Sequence, residues 1–203
     1  MHIDYHALWP TQVWVVNLQY SEEKLSKLAN LLIELDGVKT DTFDAHANLL
    51  DGDYGLIKEL KSDWVTATND CLAAAGETNR VKFVQRSWAN YMQPYNWSPP
   101  HIHGSNMSSA FTVCAKPGSG KFIVSNSHPS ELLSHDLGKR SYMWERECIP
   151  GELILFSGHV QHQVTTNLSG ELRISVAANI RLDPPTTQNR MTITGVQTSP
   201  NNL

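Results

Sequence analysis

Pro99-Pro100-His101-Ile102-His103-Gly104 is a short segment entered through two prolines and left through a glycine. Prolines favour extended backbone. In an extended segment, side chains two apart lie on one face. His101 and His103 are therefore expected to point into one cavity or at one metal. A third histidine, His162, lies in Leu155-Phe156-Ser157-Gly158-His159-Val160-Gln161-His162. Arg173 follows eleven residues later, in Glu171-Leu172-Arg173-Ile174-Ser175-Val176.

Neutral imidazole is a common ligand for metals near neutral pH. A His-x-His pair with a distant histidine on another strand makes a three-point arrangement. It leaves coordination positions open, as a catalytic metal requires and a closed structural zinc site does not. Arg173 and Ser175 would place a guanidinium and a hydroxyl on one inward strand face. A buried arginine must be paired. A bound carboxylate would pair with it, as would an internal acid such as Glu152 or Glu171. Metal-binding histidines beside a carboxylate-binding Arg-x-Ser point to a metal that binds an organic acid.

The flanking sequence is read as strands. From residue 79 onward, short runs of period two are separated by Gly/Pro turns: 81–91, 107–114, 121–124, 141–148, 152–156, 161–165 and 172–180. Many short strands of this kind predict a mainly β sandwich or barrel. Before them, Val13 to Leu18 is β-like. Leu25, Leu28, Leu32 and Leu35 recur at helical spacing behind Ser21, a fair N-cap, and Gly37 stops that helix. Residues 38–53 are polar and predict a loop. A second helix is expected from Tyr54 to Ala75, with Ile57, Leu60, Trp64, Ala67 and Cys71 on its apolar face. Both helices would pack outside the β-structure.

The chain has 203 residues, 40% hydrophobic and 18% charged, which suits a folded domain. Its net charge is −4 and it has no basic block, which argues against a nucleic-acid patch. No apolar run approaches a membrane span, and the N-terminus is unlike a signal peptide, so a soluble cytoplasmic location is expected. Cys71, Cys114 and Cys148 form no paired motif and are expected to be reduced thiols.

These motifs resemble the 2-oxoglutarate/Fe(II)-dependent oxygenases, whose signature is His-x-Asp/Glu, a distal His, and an Arg about ten residues later, often as Arg-x-Ser. More narrowly, the chain resembles a 2OG-Fe(II) oxygenase family of bacteria and phages. The matching residues are Ser87-Trp88-Ala89-Asn90, Pro99 to His103, Ser108-Ser109-Ala110-Phe111, Leu155 to His162, and Arg173-Ile174-Ser175 with Asn179, over about residues 80–181. The resemblance implies a double-stranded β-helix (jelly roll, cupin-like) with two N-terminal helices outside. Residues 1–203 then form one domain, with helical support over 1–78, the β-helix over 79–183 and a C-terminal tail over 184–203. It implies Fe(II) as the metal, 2-oxoglutarate and O2 as co-substrates, His101 and His162 as ligands, and Arg173 with Ser175 on the far carboxylate of 2-oxoglutarate.

Tyr91 matches a position where related hydroxylases place a co-substrate tyrosine, and it reads equally well as a core aromatic. Thr112 is expected to face the same pocket. The chain departs from the family at the carboxylate position, which is His103. Either His103 is a third, neutral ligand, or it stands behind the ligands and water or a distant acid completes the site. The substrate, a small molecule or a protein side chain, is not legible, and a homodimer is compatible with the sequence. Trp88, Trp97, Trp144 and the loop 125–140 are candidates for the entrance. Two other readings remain: a three-His cupin-type metalloenzyme indifferent to 2-oxoglutarate, and a non-catalytic β-sandwich with Arg173 paired internally.

Overall fold

The computed structural model describes residues 11–36, 48–125 and 143–184. Nine strands and two long helices follow in the order β1 (Val13–Asn17), α1 (Glu22–Asp36), a 3-10 turn (Leu49–Asp51), α2 (Gly55–Ala74), β2 (Val81–Met92), β3 (Ser98–His101), β4 (Met107–Cys114), β5 (Lys121–Ser125), β6 (Met143–Glu147), β7 (Glu152–Ser157), β8 (His162–Val164) and β9 (Arg173–Leu182). The strands form two antiparallel sheets. The larger has the order β1-β7-β4-β9-β2 and the smaller β3-β8-β5-β6. This is the double-stranded β-helix expected from the sequence, mainly β, with both helices on the outside of the larger sheet.

The alternation of strand residues separates two cores. On one face of the larger sheet, Phe111, Val113, Leu153, Leu155, Ile174, Val176, Ala178 and Ile180 pack against Leu25, Leu28 and Leu32 of α1 and Ile57, Leu60 and Trp64 of α2. Burial of these apolar faces drives the helices onto the sheet, at roughly 25 cal/mol per Å2 of apolar surface. Trp64 is fully buried, and its indole N–H donates to Ser109 Oγ at 3.0 Å. The Ser109 hydroxyl in turn donates to the Ala178 carbonyl at 3.0 Å, so the buried polar atoms are satisfied. On the other face, Phe122, Val124, Ile154, Phe156 and Val160 make a smaller core between the sheets.

Ser21 caps α1 as expected, its Oγ accepting the Lys24 N–H at 3.2 Å. The expected loop 38–53 is corrected at its end. Leu49–Asp51 form the 3-10 turn, with Leu50 buried and its N–H donating to Ser87 Oγ at 2.8 Å. That bond ties the helical half of the chain to β2. The C-terminal tail beyond residue 184, the segment 126–142 within the proposed entrance loop, and residues 37–47 lie outside the described residues. Among the described residues, no helix is long and apolar enough to cross a membrane.

One irregularity matters for the site. Along β2 and β9 the register runs Met92↔Arg173, Asn90↔Ser175, Trp88↔Ala177 and Arg86↔Asn179, then shifts between Val84 and Arg86. The extra residue is a β-bulge, which changes the parity of a strand. Val84 is thereby turned to the helix side opposite Ile180, and Arg86 becomes the last cavity-facing residue of β2.

Candidate metal and co-substrate site

His101, His103 and His162 meet between the sheets. One ring nitrogen of each lies within 4.8 Å of those of the other two. His101 ends β3 and is the cross-strand partner of His162, which begins β8. Their ring centroids are 4.3 Å apart. His103 lies just past the end of β3, so the reading of both histidines on one strand needs correction. What brings His103 to the site is a backbone bond from its N–H to the Gly158 carbonyl at 2.8 Å. Gly158 is required there, because a Cβ at this position would sit 2.3 Å from the Ser105 carbonyl oxygen.

Two of the imidazoles have their tautomers set. His101 Nδ1 lies 2.7 Å from the Pro99 carbonyl, and His162 Nδ1 lies 3.0 Å from the Val160 carbonyl. A carbonyl only accepts, so each Nδ1 carries the proton and each Nε2 offers its lone pair. His162 is buried against Phe122 and Phe156, at centroid distances of 5.6 and 4.5 Å. Burial holds it neutral, with its pKa pushed down to about 3. His103, 5.8 Å from the Trp88 ring, is pushed down to about 4, first by burial, then by His101 and Arg86. Three imidazole nitrogen donors converging at one cavity fit a divalent iron and leave positions open to other ligands.

The cavity holds about 230 Å3. At one end Arg173 is 3% exposed. Its Nη1 donates to Cys148 Sγ at 3.3 Å and to the Ser119 carbonyl at a marginal 3.5 Å, while its Nε has no partner. Among the described residues it has no carboxylate partner. Glu152 is taken by Arg146 in a two-pronged pair at 3.0 and 2.7 Å, and Glu171 is exposed. Burial raises the pKa of the Cys148 thiol, against the pull of Arg173, so the sulfur is a neutral acceptor and no counterion. An orphaned guanidinium N–H beside a cavity has the chemistry to bind a carboxylate.

Ser175 and Thr112 are buried, are register partners across β9 and β4, and line the same cavity. Tyr91 does not. Its parity puts it on the helix side of β2, where it is 3% exposed and its hydroxyl donates to the Leu32 carbonyl at 2.6 Å. The co-substrate role expected for Tyr91 is therefore corrected to that of a core aromatic. Its neighbours Asn90 and Met92 take the cavity face instead. Of the tryptophans considered for the entrance, Trp88 lines the cavity; Trp97 and Trp144 do not border it.

A double-stranded β-helix in which three histidine nitrogens converge near a buried arginine, with no carboxylate partner for it among the described residues, has the chemistry to hold a metal beside an organic acid. Comparison with known proteins agrees. Residues 86–179, 94 of the 203, match the model of a family described as "Putative 2OG-Fe(II) oxygenase", and this match together with the fold supports an enzyme of the 2-oxoglutarate/Fe(II) oxygenase class.

Solved structures with the same fold include a prolyl-4-hydroxylase of Pseudomonas putida (12% identity, 83% of this chain and 86% of that one, TM-score 0.56). Another is the alpha-ketoglutarate-dependent carbocyclase SnoK from nogalamycin biosynthesis (11%, 85% and 80%, 0.59). A third is HygX from Streptomyces hygroscopicus with nickel and 2-oxoglutarate bound (12%, 87% and 84%, 0.54). No curated protein matches the sequence.

Proposed function

We propose that this chain couples decarboxylation of 2-oxoglutarate to hydroxylase-type oxidation of an organic substrate. The overall change is balanced: one oxygen atom of O2 enters a C–H bond of the substrate, the other enters succinate, and CO2 leaves. The observation that carries this reading is Arg173. A buried guanidinium without an acidic partner among the described residues, one N–H orphaned, at the end of a cavity that also holds three histidine nitrogens, calls for an anionic ligand that also reaches the metal.

His101, His103 and His162 would hold the iron, which when bound supplies the activation of O2. Arg173, with Ser175 beside it, binds the far carboxylate of 2-oxoglutarate and fixes its distance from the histidines. Asn90 and Thr112 flank Ser175 on the neighbouring strands. The Nδ1–H bonds of His101 and His162 keep their Nε2 atoms directed at the metal. Phe122 and Phe156 exclude water from behind His162. His103 in place of a carboxylate leaves the metal with neutral ligands only, so dianionic 2-oxoglutarate neutralises the Fe(II) charge.

The all-histidine donor set also favours the three-His cupin reading, without 2-oxoglutarate. Arg173, without an acidic partner among the described residues, weighs against it, and against an inert module with Arg173 paired internally. Incubation with Fe(II), 2-oxoglutarate and O2, read as succinate by NMR, tests the proposal. Succinate should form with the wild type and not with His162→Ala. Equal succinate from both proteins, with the co-substrate bound, would overturn it.

A further inference from the structure

The cavity has a second arginine at its other end. Arg173 and Asn179 are six positions apart along β9, which is about 20 Å of extended chain. Arg86 stands opposite Asn179. The bulge at Val84/Arg86 makes it the last residue of β2 to face the cavity, beyond Trp88. Arg86 is exposed, and its guanidinium carbon lies 5.7 Å from the Trp88 ring centroid. Among the described residues it has neither a hydrogen bond nor an ion pair. Trp88 spans the gap to the metal site, its ring 5.8 Å from that of His103.

No Asp or Glu is among the described residues that line the cavity. Ser108 and Asn179 complete the Arg86 end, with the Ser108 hydroxyl donating to Asn179 Oδ1 at 3.2 Å. A third cation, Arg181, sits at the same end of β9 and donates to the Gly104 carbonyl at 2.8 Å. The one acid close by in sequence, Asp183, lies 3.9 Å from Lys82. With the iron charge cancelled by 2-oxoglutarate, both arginines still add positive charge to a cavity that no described Asp or Glu lines. Arg173 is committed to the co-substrate, and its distance along the strand keeps that anion away from Arg86.

We propose that the prime substrate carries an anionic group, a carboxylate or a phosphate, which Arg86 binds while Trp88 covers the segment leading to the metal. The inference rests on the proposed function for the identity of the other anion. It assigns Arg86 as a specificity-determining residue that sets which end of the substrate points outward. Charge-assisted bonds to a planar guanidinium discriminate strongly against neutral analogues.

The test titrates benzoate, phenyl phosphate and neutral benzamide into the Fe(II)- and 2-oxoglutarate-loaded protein under argon, followed by calorimetry. At least one anion should bind tenfold or more tighter than benzamide, and the tighter of the two identifies the acid. Arg86→Gln should bring that anion to the benzamide level, and Arg86→Lys should retain most of the preference. Affinity for 2-oxoglutarate should be the same in all three proteins. Anion binding no tighter than benzamide, or undiminished in Arg86→Gln, would overturn the inference. Failure of 2-oxoglutarate itself to bind would instead sink the proposed function. The wild-type and Arg86→Gln comparison on the metal-loaded protein would then still decide the role of Arg86.

Discussion

Replacing Arg173 with methionine should stabilise the metal-free protein and weaken co-substrate binding. Arg173 is buried with an orphaned Nε, and its two contacts are a thiol at 3.3 Å and a carbonyl at 3.5 Å. An unsatisfied buried donor costs about 1–3 kcal/mol, and more when it is charged. Methionine fills similar space without that cost. For a chain of this size each kcal/mol moves Tm by roughly 2–4 °C, so a rise of at least about 2 °C is expected. Two charge-assisted bonds to the far carboxylate, at about 1.5–3 kcal/mol each, are lost. The affinity for 2-oxoglutarate should fall about 10^2- to 10^4-fold. Metal affinity should stay unchanged, because Arg173 touches none of the three histidines. Scanning calorimetry of the metal-free protein and anaerobic titration with 2-oxoglutarate read both quantities. A lower Tm together with unchanged 2-oxoglutarate affinity would refute the reasoning and make Arg173 a structural residue.

Gly158→Ala places a Cβ 2.3 Å from the Ser105 carbonyl oxygen, so the turn that holds the His103 N–H must shift; metal affinity should drop at least tenfold, measured by competition with a chelating dye. Tyr91→Phe leaves the buried Leu32 carbonyl without that donor and should cost about 1 kcal/mol in denaturant unfolding, while 2-oxoglutarate affinity stays at the wild-type value. The metal-free protein should lose stability as pH falls below 6.5. His162 and His103 are held neutral in the fold, at about 3 and about 4, so their contribution is complete above the unfolded value and is lost on the way down to those pH values. The slope is at most about 1.4 kcal/mol per pH unit for His162 and less for the partly exposed His103; urea unfolding at pH 7 and pH 5 reads it, and equal stability at both would contradict the assignment.

The sequence carries the fold because its strands alternate cleanly. Val113, Val176 and Leu155 go to the helices, while Thr112, Ser175 and Ile154 go to the cavity. His101, His162, Arg173, Ser175 and Thr112 were legible for the same reason. Tyr91 was misplaced because spacing from His101 ignores parity. Its hydrogen-bond partner, Leu32, is 59 residues away in α1, beyond any local pattern. The alternation Trp88, Asn90, Met92 was the signal that could have corrected it. Arg86 was missed because an exposed arginine reads as solvated surface, although the alternation of Met92, Asn90 and Trp88 extends to it. Cys148 follows β6 in a segment with no period to place it beside Arg173. The 3-10 turn was hidden because Leu49-Leu50 follow a polar stretch, and Leu50 is fixed by Ser87 across the fold.

The most direct test is an anaerobic visible spectrum of purified protein given Fe(II) and then 2-oxoglutarate. The central claim is that one cavity holds iron on His101, His103 and His162 and the co-substrate on Arg173. It predicts a metal-to-ligand charge-transfer band that appears only with both components and is absent in His162→Ala. Iron bound without such a band at saturating 2-oxoglutarate would contradict the claim and leave the three-His metalloenzyme standing.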